Sequence, residues 1–96
     1  MLTSLISDSH TLLPTRRELP SRKAGTDILV RNTDTGSIHF LNPTAAVIWN
    51  CCDGATTAEQ CAERLISEFS IPAGHDIATD IRQIVATLVE NGLVNG

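Results

Sequence analysis

The stretch DILVRNTDTGSIHFLNPT, residues 27–44, carries the reading of the fold. Ile28-Leu29-Val30 is a short aliphatic run rich in β-branched side chains, and Ile38-His39-Phe40-Leu41 is a second apolar run. Such runs favour strands. Between them lies Asn32-Thr33-Asp34-Thr35-Gly36, a cluster of turn formers in which Gly36 can supply a positive φ. The pattern predicts a β-hairpin. Asn42-Pro43 then switches the chain to helix. An Asn side chain accepts from an orphan N–H of the first turn, and Pro fits the first helical position because its missing N–H would be unpaired there anyway.

Upstream of the hairpin, residues 17–22 are expected as an earlier strand that completes a three-stranded meander. Pro20 lacks a ladder donor, which makes that strand an edge or an interrupted one. Residues 1–15 show no clear periodicity and read as a weakly ordered arm, leaving 16–94 as the domain. Downstream the chain is helical. Ala45, Ile48, Trp49 and Cys52 fall on one face of a first helix that Gly54 ends. Thr56 with Glu59 reads as a capping box opening a second helix, with Cys61, Ala62, Leu65, Ile66 and Phe69 on its buried side. Pro72 and Gly74 mark a linker. A third helix spans 76–91, with a core stripe of Ile77, Ile81, Ile84 and Leu88. Ala78, Val85, Val89 and Arg82 lie on one flank of that stripe, and Asp80 and Thr87 on the other. Gly92 suits the left-handed position after the helix, with Leu93 closing it. The order is three strands, then three helices: an α+β, winged-helix-turn-helix-like arrangement.

Composition narrows the function. With 96 residues the chain holds one domain, and with aromatics at 3% its core must be aliphatic. A formal net charge of −4 argues against nucleic acid, which recruits clustered Lys and Arg. Arg16-Arg17 and Arg22-Lys23 are the one basic concentration, read as a solvated face or as a contact for an acidic leader or partner. No apolar run approaches the roughly 18 residues of a membrane span. The N-terminus lacks a basic region and carries Asp8, which makes a poor signal peptide. Cys51, Cys52 and Cys61 make no disulfide framework and read as reduced thiols of a cytoplasmic protein.

Chemistry-bearing patterns are weak. The spacing of the cysteines with His39 and His75 fits no zinc-ligand pattern, and Cys52 and Cys61 fall on apolar faces. Cys51 is expected at the surface, where it could be oxidised. His39 reads as a packed ring, His75 beside Asp76 as helix-start capping, and Trp49 as core. Glu59 with Glu63 and Asp76 with Asp80 fall on exposed faces or a helix start, where acids suit the dipole. There is no phosphate loop, nucleophile triad or pair of catalytic carboxylates. An enzyme, a cofactor and a metal are not expected.

The order and spacing of several short pieces resemble the PqqD family. They are Asp27-Ile28-Leu29-Val30, Thr35-Gly36, Ile38-His39-Phe40-Leu41-Asn42, Thr44-Ala45-Ala46 with Ile48-Trp49, Cys52-Asp53-Gly54 with Thr56-Thr57, Phe69, Asp80-Ile81, Leu88, and Asn91-Gly92-Leu93-Val94. That family is named for pyrroloquinoline quinone biosynthesis, and its fold is the recognition element of ribosomally made, post-translationally modified peptides. The resemblance implies a non-catalytic adaptor. It would bind the leader of a precursor peptide as an added strand on 37–41, beside helix 76–91, and present it to a modifying enzyme, often a radical S-adenosylmethionine protein. Pro20 and the long turn 32–36 depart from the quinone-pathway members and point to another modified-peptide pathway.

The residues agree with that implication. A meander has open edges, and an open edge binds an extended peptide through its backbone while side-chain pockets give specificity. Counting by twos from Leu41 puts His39 inward or toward the groove and leaves Ile38 and Phe40 exposed. The expected contacts are Ile38, His39, Phe40 and Leu41 on the strand, and Ala78, Asp80, Arg82, Val85 and Val89 on the helix. Either face of the strand could meet the peptide. The alternatives are a winged-helix nucleic-acid binder and a structural homodimer built on the free edge.

Overall fold

A computed structural model describes residues 12–72 and 74–95. Its elements are β1 (Ser21–Ala24), β2 (Asp27–Arg31), β3 (Ile38–Leu41), α1 (Pro43–Cys51), α2 (Ala58–Phe69) and α3 (Ile77–Glu90). The strands form one antiparallel sheet in the order β1-β2-β3. The architecture is the expected α+β one, three strands followed by three helices.

β1 begins at Ser21, one residue after Pro20, so it takes in only the last two residues of the expected 17–22 and runs on to Ala24. Pro20 has no N–H to donate, but its carbonyl accepts from Arg31 N–H at 2.9 Å, so it adjoins the ladder as an acceptor only. A two-residue turn, Gly25-Thr26, joins β1 to β2, with Gly25 at φ +66°. The β2–β3 turn is the one expected. Asn32 N–H donates to Ser37 C=O at 2.8 Å, Gly36 N–H donates to Asn32 C=O, and Gly36 takes φ +78°.

The helix starts follow local chemistry. Asn42 Oδ1 accepts from Ala45 N–H at 2.9 Å, and Pro43 opens α1. The capping box of α2 is Thr57 with Gln60, one residue later than expected. The hydroxyl of Thr56 instead donates to Asp53 Oδ1, and its carbonyl accepts from Leu13 N–H. The end of α3 is the expected Schellman closure: Leu93 N–H reaches Leu88 C=O and Gly92 N–H reaches Val89 C=O, with Gly92 at φ +74°.

The helices cover one face of the sheet, the face of Val30 and Leu41. There Ile48, Trp49, Leu65, Ile81, Leu88, Leu93 and the three cysteines close the core. Trp49 is buried, and its indole N–H donates to Leu93 C=O at 3.1 Å. Ile66 and Phe69, expected on the buried side of α2, are exposed instead. The covered side of that helix is Ala58, Cys61 and Leu65, centred nearer its start.

Of the expected arm, residues 1–11 lie outside the described residues. Residues 12–15 are built into the domain. Leu13 is 3% exposed in the core, and Thr15 C=O accepts from Asn95 N–H. Arg16 and Arg17 are likewise structural rather than a free basic face. Arg16 stacks over Trp49 with its guanidinium carbon 5.6 Å from the ring centroid. Arg17 donates to Gly92 C=O and pairs with Asp34 at 2.8 Å. Among the described residues, no helix is long and apolar enough to cross a membrane.

Candidate functional site

Among the described residues β3 pairs on one side only, with β2, in the register Ile28↔Leu41, Leu29↔Phe40, Val30↔His39 and Arg31↔Ile38. The phase of this ladder follows from two bonds. Asn32 N–H donates toward β3, to Ser37, while Arg31 N–H donates the other way, to Pro20 on the β1 side. Antiparallel ladders alternate, so Val30–His39 and Ile28–Leu41 are the hydrogen-bonded pairs. Ile38 and Phe40 therefore turn their own N–H and C=O away from β2, toward the open edge.

The side chains alternate in step. Leu41 is buried and His39 half-buried on the helix side, whereas Ile38 is 57% and Phe40 67% exposed on the outer face. This is the expected arrangement. Leu29 shares that outer face, and Arg22 and Arg31 flank it.

α3 stands across from the open edge. It packs on α1 and α2, α1 packs on β2 and β3, and no Cα of α3 comes within 8 Å of β3. The gap is a cleft of about 340 Å³. β3 forms one wall, with Asn42 and Ala45 at the end where α1 starts; Ile84, Thr87, Leu88 and Asn91 form the other. A second recess of about 410 Å³ continues it through His39 and Asn91, and adds Ser37, Asp34 and Glu90.

The helix wall differs from the expected one. Ala78, Asp80, Arg82, Val85 and Val89 do not line the cleft. Val85 is 5% exposed and belongs to the core with Ile81 and Leu88. At 100° per residue, Ala78, Arg82 and Val89 lie about 140–180° round the axis from Thr87, on the far flank. The core stripe of α3 is thus centred on Ile81, Val85 and Leu88 rather than on Ile77, Ile81, Ile84 and Leu88. That rotation brings Ile84 out to the cleft wall and turns the Asp80–Thr87 flank toward β3. Asp80 shares the phase of Ile84, Thr87 and Asn91 but sits a turn beyond the cleft, paired with His75. Arg82 is half-buried and donates to Thr79 Oγ1.

One residue with a structural part in the site had read only as a turn former. Asn32 is a buried polar side chain. Its amide donates to Asn91 C=O at 2.9 Å and its Oδ1 accepts from Asp34 N–H. It ties the β2–β3 turn to the end of α3 and so sets the width of the cleft. A Cβ on Gly92 would lie 2.6 Å from its Nδ2, so only glycine leaves room for this contact.

The cysteines lie away from the cleft. Cys51 is 1% exposed, not at the surface as expected, because it turns into the α1–α2 interface. A hydrogen bond from Cys61 draws the Cys51 thiol down to about 7 and pushes Cys61 up. Burial pushes Cys52 up to about 12. Among the described residues, no three His, Cys, Asp or Glu side chains gather as a metal site.

Comparison with known proteins bears on this geometry. A family model described as coenzyme PQQ synthesis protein D (PqqD) matches residues 27–94, more than two thirds of the chain. The chain belongs to the PqqD family. The match runs from β2 through Val94 and so takes in both walls of the cleft. A solved structure titled "TbiB1 in Complex with the TbiA(beta) Leader Peptide" is similar in fold, with a TM-score of 0.72 and 17% identity, over 85% of this chain and 95% of that one. A comparison with curated proteins gives no match. Membership of the PqqD family and the TbiB1-like fold agree with the three-strand, three-helix order.

Proposed function

We propose that this protein binds an extended leader segment of a ribosomally made precursor peptide and presents it to a modifying enzyme. The segment adds as a fourth strand to β3 inside the cleft. One observation carries the reading: the backbone groups of Ile38 and Phe40, unpaired among the described residues, face an open cleft walled by α3. Membership of the PqqD family supports it, as does the leader peptide held by the similarly folded TbiB1.

The energetics define what the cleft must do. Two residues offer two donors and two acceptors, each bond worth a net of about 0.5–1.5 kcal/mol. Together they give roughly 2–6 kcal/mol, against about 4–15 kcal/mol lost in association. Backbone pairing alone is therefore marginal. Burial of peptide side chains against Leu41, Ile84 and Leu88 supplies the remainder, at about 25 cal/mol per Å² of apolar surface.

Presentation falls to the outer face. An added strand would place its alternate side chains beside Ile38 and Phe40, extending an apolar surface edged by Arg22 and Arg31. A partner enzyme, of the radical S-adenosylmethionine class in this reading, would meet protein and peptide together there. The protein itself performs no chemistry and works in the cytoplasm, in a modified-peptide pathway other than the quinone one. Nucleic acid is disfavoured, because α3 carries Arg82 alone among cations against Asp80 and Glu90.

The test is a fluorescence titration with the labelled leader of a precursor encoded beside this chain. Saturable binding that competes with unlabelled leader supports the reading. No binding, or tight salt-sensitive binding of duplex DNA instead, refutes it.

A further inference from the structure

The cleft is not uniform along its length. At the Leu41 end Ala45, Ile84 and Leu88 lie beside Leu41, with Asn42 the polar but uncharged neighbour. At the Ser37 end they carry two carboxylates, Asp34 and Glu90. Arg17 is engaged there by Asp34 and by Gly92 C=O. Glu90 has no cationic partner among the described residues. It also sits in the last turn of α3, which holds no basic residue, at the end of the helix dipole that disfavours an acid. The Ser37 end is therefore a local excess of negative charge opening into the same groove.

Strand geometry converts this polarity into a sequence preference. A peptide pairing antiparallel to β3, the slightly more stable mode, forms narrow pairs with Ile38 and Phe40. Its residues opposite Leu41, His39 and Ser37 then point into the groove, and those opposite Phe40 and Ile38 point to the outer face. The position opposite Leu41 comes first in the peptide and the position opposite Ser37 comes four residues later, about 13 Å along the strand.

We infer that the groove selects precursor segments carrying an aliphatic residue and, four positions further toward the C-terminus, a lysine or arginine. The aliphatic side chain fills the pocket of Leu41, Ala45, Ile84 and Leu88, and the cation lies against Glu90 and Asp34. This rests on the strand-addition reading and adds the chemistry of the bound segment.

The experiment uses the full chain and four labelled Thr/Val-rich peptides, read by fluorescence anisotropy at physiological ionic strength. One carries Leu and, four residues later, Lys. The others replace the Lys by Glu, replace the Leu by Ser, or move the Lys two positions toward the Leu. The first binds best, and the Lys-to-Glu change weakens it about three- to tenfold, as expected for partly exposed pairs turned from attractive to repulsive. In the Glu90→Lys variant, whose new cation suits the helix end, the order of the Lys and Glu peptides reverses. Equal binding of all four overturns the charge rule while leaving strand addition intact. So does an unchanged order in Glu90→Lys. Failure of every peptide to bind overturns both.

Discussion

Replacing Phe40 by proline removes one N–H from the open edge of β3 and leaves the β2–β3 ladder whole. Phe40 sits opposite Leu29 in a pair that exchanges no hydrogen bonds, so its N–H points into the cleft. Proline is tolerated on an edge strand in that orientation. Phe40 is two-thirds exposed, so the lost packing costs the fold about 1 kcal/mol at most. A bound leader would lose one donor and keep a buried, unsatisfied carbonyl, at about 1–3 kcal/mol, or roughly a 5- to 150-fold rise in Kd. His39→Pro is the internal control. His39 lies in a hydrogen-bonded pair with Val30, which is fully buried, so the proline orphans a carbonyl inside the domain. That costs about 1–3 kcal/mol of stability, at about 4–8 °C per kcal/mol for a domain this size. Thermal unfolding by circular dichroism and leader titration separate the two variants. If Phe40→Pro destabilises the fold as much as His39→Pro, the ladder phase is wrong. If it folds and binds leader with unchanged affinity, strand addition at β3 is wrong.

Thr87→Trp fills the cleft from an exposed position, so leader affinity falls at least tenfold in a titration while Tm stays within a few degrees. Val85→Ala costs about 1–3 kcal/mol in urea unfolding because Val85 is core, whereas Val89→Ala, 37% exposed, stays within about 0.5 kcal/mol; equal costs would contradict the orientation of α3. Asp53 is held below the usual carboxylate range first by Ala55 N–H and then by the Thr56 hydroxyl, and Asp76 by the hydroxyl and N–H of Thr79. Because the folded values lie below the unfolded ones, the stability these groups add is complete above about pH 4 and lost as pH falls through the folded values. Asp76→Asn keeps the cap but not the charge, so its acid-unfolding curve is flatter over that range.

Features set by neighbours in the chain were legible in the sequence. The β2–β3 hairpin, the Asn42-Pro43 start of α1 and the Gly92-Leu93 end of α3 each follow from a few adjacent residues with one satisfactory hydrogen-bonding solution. The exposure of Ile38 and Phe40 followed from alternation once Leu41 was taken as core. What failed depended on tertiary context or on a near tie. Thr56–Glu59 and Thr57–Gln60 both satisfy the capping-box spacing, and the tie is broken by Asp53 and Leu13, which engage Thr56. In α3, Ile77, Ile84, Val85 and Val89 spread apolar surface around much of the helix. Which flank faces β3 is decided by packing on α1 and α2, and the flank of Ala78, Arg82 and Val89 turns away from it. The span of Asn32 from the turn to Asn91 joins positions far apart in sequence, and no local pattern announces it.

The most direct test of the central claim is residue-resolved amide exchange with and without saturating leader peptide. The Ile38 and Phe40 amides, unpaired among the described residues, should become strongly protected. The His39 and Leu41 amides, already bonded to β2, should change little. Ile38 and Phe40 amides that exchange equally fast with and without bound leader would contradict that claim.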